Sequence, residues 1–170
     1  MQIHFDGAGF KAEQLCAIQF NGELTNLKEH QYKDIDVFIK SKTGELKSCS
    51  VKDQLWSSGK FGGIQIETKL INTDNGKEQQ GCFYTNQSDY YFWRITTAEY
   101  GDTWLVVQSS VLKGFVEANK HRLKAWATRP ATEEKNRSYG RFYNRTEGLV
   151  IPVSEAITLG KLIPVKETKH

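Results

Sequence analysis

Two short stretches decide the fold: Lys33-Asp34-Ile35-Asp36-Val37-Phe38-Ile39, and Cys49-Ser50-Val51-Lys52-Asp53. In the first, Ile35, Val37 and Ile39 recur at every second position, with Asp34, Asp36, Phe38 and Lys40 on the alternate face. That period predicts a β-strand with one face toward a core. Thr43-Gly44 supplies a turn, and residues 46–54 return as a second strand. Residues 59–63, with three glycines, read as a loop, and residues 64–71 alternate again as a third strand. The expectation is a three-stranded meander.

Working outward, residues 10–20 carry apolar side chains at helical spacing and end before Gly22, predicting an N-terminal helix. Asp74-Asn75-Gly76-Lys77 is a turn, and residues 90–96 and 103–108 have the aromatic and β-branched composition of buried strands. Residues 110–126 place Val111, Leu112, Phe115, Val116, Leu123 and Trp126 at helical spacing and stop before Arg129-Pro130. A hairpin over 140–151 and a short helix over 155–159, capped by Ser154, complete the prediction. The fold class expected is α/β (α+β), a mixed central β-sheet flanked by helices. One domain spans 1–170, with its core over about 9–128 and a basic C-terminal segment over 129–170.

The chain has 170 residues, 38% apolar and 25% charged, enough for one proper core. No apolar run approaches the roughly 20 residues needed to cross a bilayer, and no leader pattern opens residues 1–21, so a cytoplasmic protein without membrane partners is expected. Cys16, Cys49 and Cys82 form neither a CxxC pair nor an even set, and are expected to be reduced and mostly buried. The net charge of +3 hides an asymmetry: residues 113–145 carry +6 and the remainder −3. Trp126, Tyr139, Phe142 and Tyr143 are interleaved with those cations, the composition of a surface that grips phosphates and stacks on bases. Lys120, Arg122, Lys124, Arg129, Arg137 and Arg141 are the expected nucleic-acid contacts; a solvated helix and loop would look the same.

Alternation places Asp36, Ser50, Lys52, Gln65 and Glu67 on one face of the predicted meander. Two carboxylates and a lysine on neighbouring strands make a minimal site for metal-assisted phosphodiester hydrolysis. Asp36 and Glu67 would hold Mg2+, Lys52 would assist the attacking water, and Ser50 or Gln65 would complete the polar shell. Equally, these are residue types found on any half-solvated sheet face. Other chemistry lacks its residues. His4, His30, His121 and His170 are isolated, no GxGxxG or GxxxxGK[ST] cradles a phosphate, and no GxSxG elbow surrounds Ser50.

Over residues 30 to 110 the chain resembles the PD-(D/E)XK superfamily of restriction endonuclease-like nucleases. There an aspartate begins one strand and an (E/D)xK tripeptide lies on the next. Asp36 and Lys52 take those places, Ser50 stands where the acidic residue sits, and Glu67 is the natural substitute, as in members with a serine-x-lysine tripeptide and a relocated glutamate. Residues 62–67 and 81–92 are similar to later elements of phage and restriction-type members, where Asp89 would be a structural residue at a strand start. The resemblance implies a restriction endonuclease-like core and a Mg2+-dependent DNA endonuclease, Mn2+ substituting, that leaves 5′-phosphate and 3′-hydroxyl ends. Its setting would be a bacterial or phage-infected cell. Cutting both strands of a duplex with one site per chain suggests a homodimer. Three alternatives stay open: a second register of Asp53, Glu67 and Lys69; a degenerate nucleic-acid-binding module of the same fold; and a nuclease acting on RNA or branched DNA.

Overall fold

A computed structural model describes residues 8–25, 27–141 and 143–167, so the expectations for His4, Phe142 and His170 lie outside the described residues. Helix α1 (Ala8–Gln19) buries Ala12, Cys16 and Ala17 along one stripe. It is followed by β1 (Glu23–Leu24), α2 (Lys28–Tyr32), β2 (Val37–Lys40) and β3 (Leu46–Asp53). Then come α3 (Leu55–Phe61), β4 (Gly63–Ile71), β5 (Glu78–Gln80), α4 (Cys82–Thr85), β6 (Tyr90–Thr97) and β7 (Gly101–Gln108). The chain continues through α5 (Ser109–Asn119), β8 (Lys124–Ala127), α6 (Pro130–Ser138), β9 (Arg145–Pro152), α7 (Val153–Ala156), a 3-10 turn (Ile157–Leu159) and β10 (Lys161–Pro164).

The strands form two sheets. The first has the order β1-β2-β3-β6-β7-β10, antiparallel throughout except for the parallel pair β3 and β6. The second is antiparallel, in the order β5-β4-β9-β8. The protein is thus mixed α/β with a mixed central sheet flanked by helices, as expected.

Four sequence expectations are corrected. The meander does not form, because β4 leaves the first sheet and pairs with β5 and β9. The cause is α3, which occupies the segment expected to be a loop; Gly59 lies inside it, where a Cβ would come within 2.9 Å of Thr96 on β6. Gly59 therefore permits close packing of helix on strand rather than a turn. The helix expected over 110–126 ends at Asn119, and Lys124 to Ala127 pair with β9 as a strand. Helical spacing linked Leu123 with Trp126, but Leu123 lies in the bend before β8, and pairing with β9 decides for a strand at Trp126. Pro130 starts a helix instead of only ending one, because its missing N–H is free of cost at the first helical position. The last helix begins at Val153 after Pro152, so Ser154 is not its cap.

The first sheet is buried on both faces. Val37, Cys49, Val51, Phe92 and Trp104 pack against Ala12 and Cys16 of α1. Tyr91, Trp93, Ile95, Leu105 and Val107 point the other way, onto Ile64, Ile66 and Ile151 of the second sheet and onto α5 and α7. The core therefore continues past residue 128. The order of layers is α1, first sheet, second sheet. All three cysteines are free thiols, Cys16 and Cys49 buried and Cys82 half-buried. No helix among the described residues is long and apolar enough to cross a membrane.

Candidate active site

The site begins at the end of α2. The Asp34 N–H donates to the Gln31 carbonyl and the Ile35 N–H to the His30 carbonyl, the paired bonds that close a helix through a left-handed residue. Asp34 is that residue, at φ 57°, a conformation that aspartate tolerates better than most side chains. The reversal takes Asp34 out of the strand alternation and buries its carboxylate. Oδ2 accepts hydrogen bonds from Ser50 Oγ at 2.9 Å and Asn86 Nδ2 at 3.0 Å. Oδ1 accepts from Lys52 Nζ at 2.5 Å.

Two residues on, Asp36 Oδ2 accepts from the Val51 backbone N–H at 2.8 Å and lies 3.8 Å from Lys52 Nζ. The predicted pairing of Asp36 with Lys52 is therefore present, but Asp34 is the closer partner of the lysine. Ser50 is fully buried, and its hydroxyl serves to hold Asp34. An acid at position 50 would set a second carboxylate against the first.

Because β3 and β6 are parallel with Ser50 opposite Tyr91 and Lys52 opposite Trp93, these four side chains share the face directed at the second sheet. There Glu67, on β4, meets them across the gap rather than from a neighbouring strand. A cavity of about 240 Å³ lies at this junction, with Lys52, Glu67, Cys82, Tyr91, Trp93 and Trp126 among its walls. Gln65 also lines it. Asp53 lines the same cavity, and its Oδ1 accepts from the Leu55 N–H at the start of α3.

The second register separates. A bulge between Glu67 and Lys69 leaves Thr68 out of the register with β9, though its hydroxyl donates to the Glu147 carbonyl, so Glu67 and Lys69 occupy consecutive ladder positions and face opposite ways. Lys69 pairs with Glu78 on β5.

Charge in the site is crowded. Burial raises the pKa of Asp36, and Asp34 adds to the effect against Lys52, which lowers it. Burial likewise raises Glu67, opposed by a hydrogen bond from the Cys82 backbone and by Lys52. Glu13 of α1 is pushed up to about 7, first by burial and then by Asp36. Burial disfavours a charged Lys52, yet Asp34 and Asp36 outweigh it and hold its pKa far above the ordinary lysine value. The Cys82 thiol is pushed up to about 12, chiefly by burial, and so is not a nucleophile near neutrality. Asp34, Glu13 and Asn86 escaped sequence reasoning. The helix-ending turn at Asp34 is the one local signal that could have found any of them.

Among the described residues no three His, Cys, Asp or Glu side chains converge as a ready-made metal cluster. Asp89 is tied by the Ser48 N–H and hydroxyl, joining the starts of β3 and β6. The expected nucleic-acid contacts are dispersed. Lys120 pairs with Glu117, Arg122 with Glu155, and Arg137 with Asp74. Arg141 donates to Asn136 Oδ1. Lys124 is exposed on β8, and Arg129 is exposed at the start of α6, beside a groove that also includes Trp56, Phe61 and Trp126.

Comparison of the chain with models of known protein families and with curated proteins finds no match.

Proposed function

We propose that the protein is a Mg2+-dependent DNA endonuclease with a restriction endonuclease-like core, Asp36, Lys52 and Glu67 carrying the reaction. The observation behind this reading is the ammonium of Lys52, set between Asp34 and Asp36 at the edge of a cavity whose opposite wall holds Glu67. The donors suit a hard cation. Asp36 has one oxygen committed to the Val51 N–H, and Mg2+ keeps several waters and needs only one or two carboxylates beside the substrate's phosphate oxygens. Asp36 and Glu67 would hold it, and when bound it supplies Lewis acidity at the scissile phosphate.

Lys52, fully protonated and held by Asp34, orients the attacking water and stabilises charge on the phosphate. Ser50 and Asn86 keep Asp34 aimed at the lysine, and Gln65 lines the substrate side of the cavity. The cations from Lys120 to Arg141 hold the backbone of DNA. A homodimer would place two such sites on a duplex, and a bacterial or phage-infected cell is the setting that fits.

The test is conversion of supercoiled plasmid to nicked or linear forms by pure protein with Mg2+ or with EDTA. Metal-dependent cutting lost in Asp36→Ala, and reduced at least about 100-fold in Lys52→Ala with binding retained, is the expected result. Cutting abolished by Asp53→Asn but not by Asp36→Asn would favour the second register. The buried serine at position 50 favours one other reading, a degenerate binding module. Binding indifferent to metal and to Lys52→Ala, with no cutting of any substrate, would establish it.

A further inference from the structure

Beyond Lys52 and Glu67, the cavity has walls to which the proposed reaction gives no role. Phe83, Tyr91, Trp93 and Trp126 are its aromatic walls, and Gln54, Ser57 and Gln65 are among its polar groups. The volume of about 240 Å³ equals that of about eight water molecules. Tyr91 is 3% exposed, and its hydroxyl is buried without a hydrogen-bond partner among the described residues. Buried hydroxyls are normally satisfied, and this one, on a residue of the cavity wall, has no partner of its own. Flat aromatic walls with a polar group at the edge suit a flat heteroaromatic ring.

The approach to the cavity carries the same chemistry. Trp56 and Phe61 of α3 are 56% and 54% exposed, pack edge to face with ring centroids 4.9 Å apart, and have Lys60 beside them. Arg129 stands across the groove, which shares Trp56, Gln65 and Trp126 with the cavity. Exposed aromatics alternating with cations and leading into an aromatic slot are the means by which proteins hold unpaired nucleotides.

We propose that the cavity receives one unstacked nucleobase of the strand whose backbone lies at Lys52, and that the protein therefore acts on single-stranded or locally opened DNA. This rests on the nuclease reading for the position of the backbone. Enzymes that must reach a base inside a duplex extrude it into such a pocket, at a cost that is least where the base is already unpaired.

The test measures binding in EDTA, where no cutting occurs. Anisotropy of a labelled 20-nucleotide single strand is compared with the same strand in duplex form, for the wild type, Tyr91→Phe and the surface variant Trp56→Ala. The single strand is expected to bind at least about tenfold tighter than the duplex, and each variant to lose roughly three- to tenfold on the single strand alone. Tyr91→Phe should also raise the melting temperature, because it removes an unmet hydroxyl, so its weaker binding cannot be misfolding. Unchanged single-strand affinity in Tyr91→Phe, duplex binding as tight as single-strand binding, or quenching of tryptophan fluorescence by a mononucleotide but not by the strand would each overturn the proposal. Cleavage is scored separately: the expected binding without Mg2+-dependent cutting sinks the nuclease and leaves the base pocket standing.

Discussion

Glu13 shows how one side chain can report on the whole site. Its carboxyl sits at about 7 because burial and the neighbouring Asp36 both disfavour its charge. A carboxyl whose folded pKa lies above the ordinary 4.5 contributes stability that is complete below pH 4.5 and is lost as pH rises through 7. Asp36 and Glu67 shift in the same direction, so the metal-free protein should lose stability between pH 5 and pH 8. Glu13→Gln should remove part of that loss: equal to the wild type near pH 4.5 and more stable by about 1–2 kcal/mol at pH 8. Urea denaturation at the two pH values measures it, and a variant no more stable at pH 8 would refute it. Under the nuclease reading, Mg2+ at ten times its dissociation constant should restore about 1.4 kcal/mol at pH 8. Asp36→Ala should abolish that response.

Among the elements, β9 is the one on which the second sheet depends, and Gly148 is its point of contact with both neighbours. It stands opposite Glu67 on β4 and Trp126 on β8. The Trp126 indole N–H crosses it to donate to the Ile66 carbonyl at 3.1 Å. A Cβ at Gly148 would collide with the Ile66 carbonyl oxygen and lie 2.5 Å from the Trp126 ring nitrogen. Gly148→Ala should therefore cost about 2–4 kcal/mol and displace Trp126 from the cavity wall. Chemical denaturation and near-ultraviolet circular dichroism would detect the two effects, and an unchanged spectrum would count against this role.

Elements of this kind separate what was legible in the sequence from what was not. The strands at 37–40, 46–53, 63–71, 90–97 and 101–108 were readable because burial on one face or both leaves a period of two or an unbroken apolar run. The partner of β4 was not, since alternation specifies a face and never a neighbour. Of the candidate site, Asp36 lies beside Lys52, and Glu67 lines the same cavity as Lys52, arriving from the opposite sheet rather than from a neighbouring strand. Asp34 shared the predicted face of Asp36, but the left-handed turn that sets its carboxylate against Ser50 and Lys52 is not encoded in alternation. Glu13 and Asn86 reach the site only through tertiary packing, which no local pattern encodes.

At the scale of the molecule, the surplus of positive charge on residues 113–145 is divided among α5, β8, α6, the start of β9 and the loops between them. Arg122 and Glu155 form a two-bond pair between the turn after α5 and α7, whereas Lys124 and Arg129 have no ion-pair partner among the described residues. Affinity for DNA should fall steeply with salt, and Arg129→Ala should lower the slope of log K against log salt by about 0.7–0.9, as expected for one phosphate contact. Arg122→Ala should change that slope less. Titrations between 50 and 200 mM salt test this, and a salt-insensitive complex would remove the basic segment from the interface.

The interleaving of the two sheets also sets an order of events during synthesis. Strands β4 and β5 leave the ribosome between β3 and β6, yet they have no central partner until β9 follows. The aromatic wall supplied by Trp126 likewise waits for β9, because β8 reaches β4 only across it. A nascent chain carrying Asp36, Lys52 and Glu67 therefore has every group of the proposed reaction before the cavity has its walls. Whatever chemistry the protein performs begins only after its final third has been made.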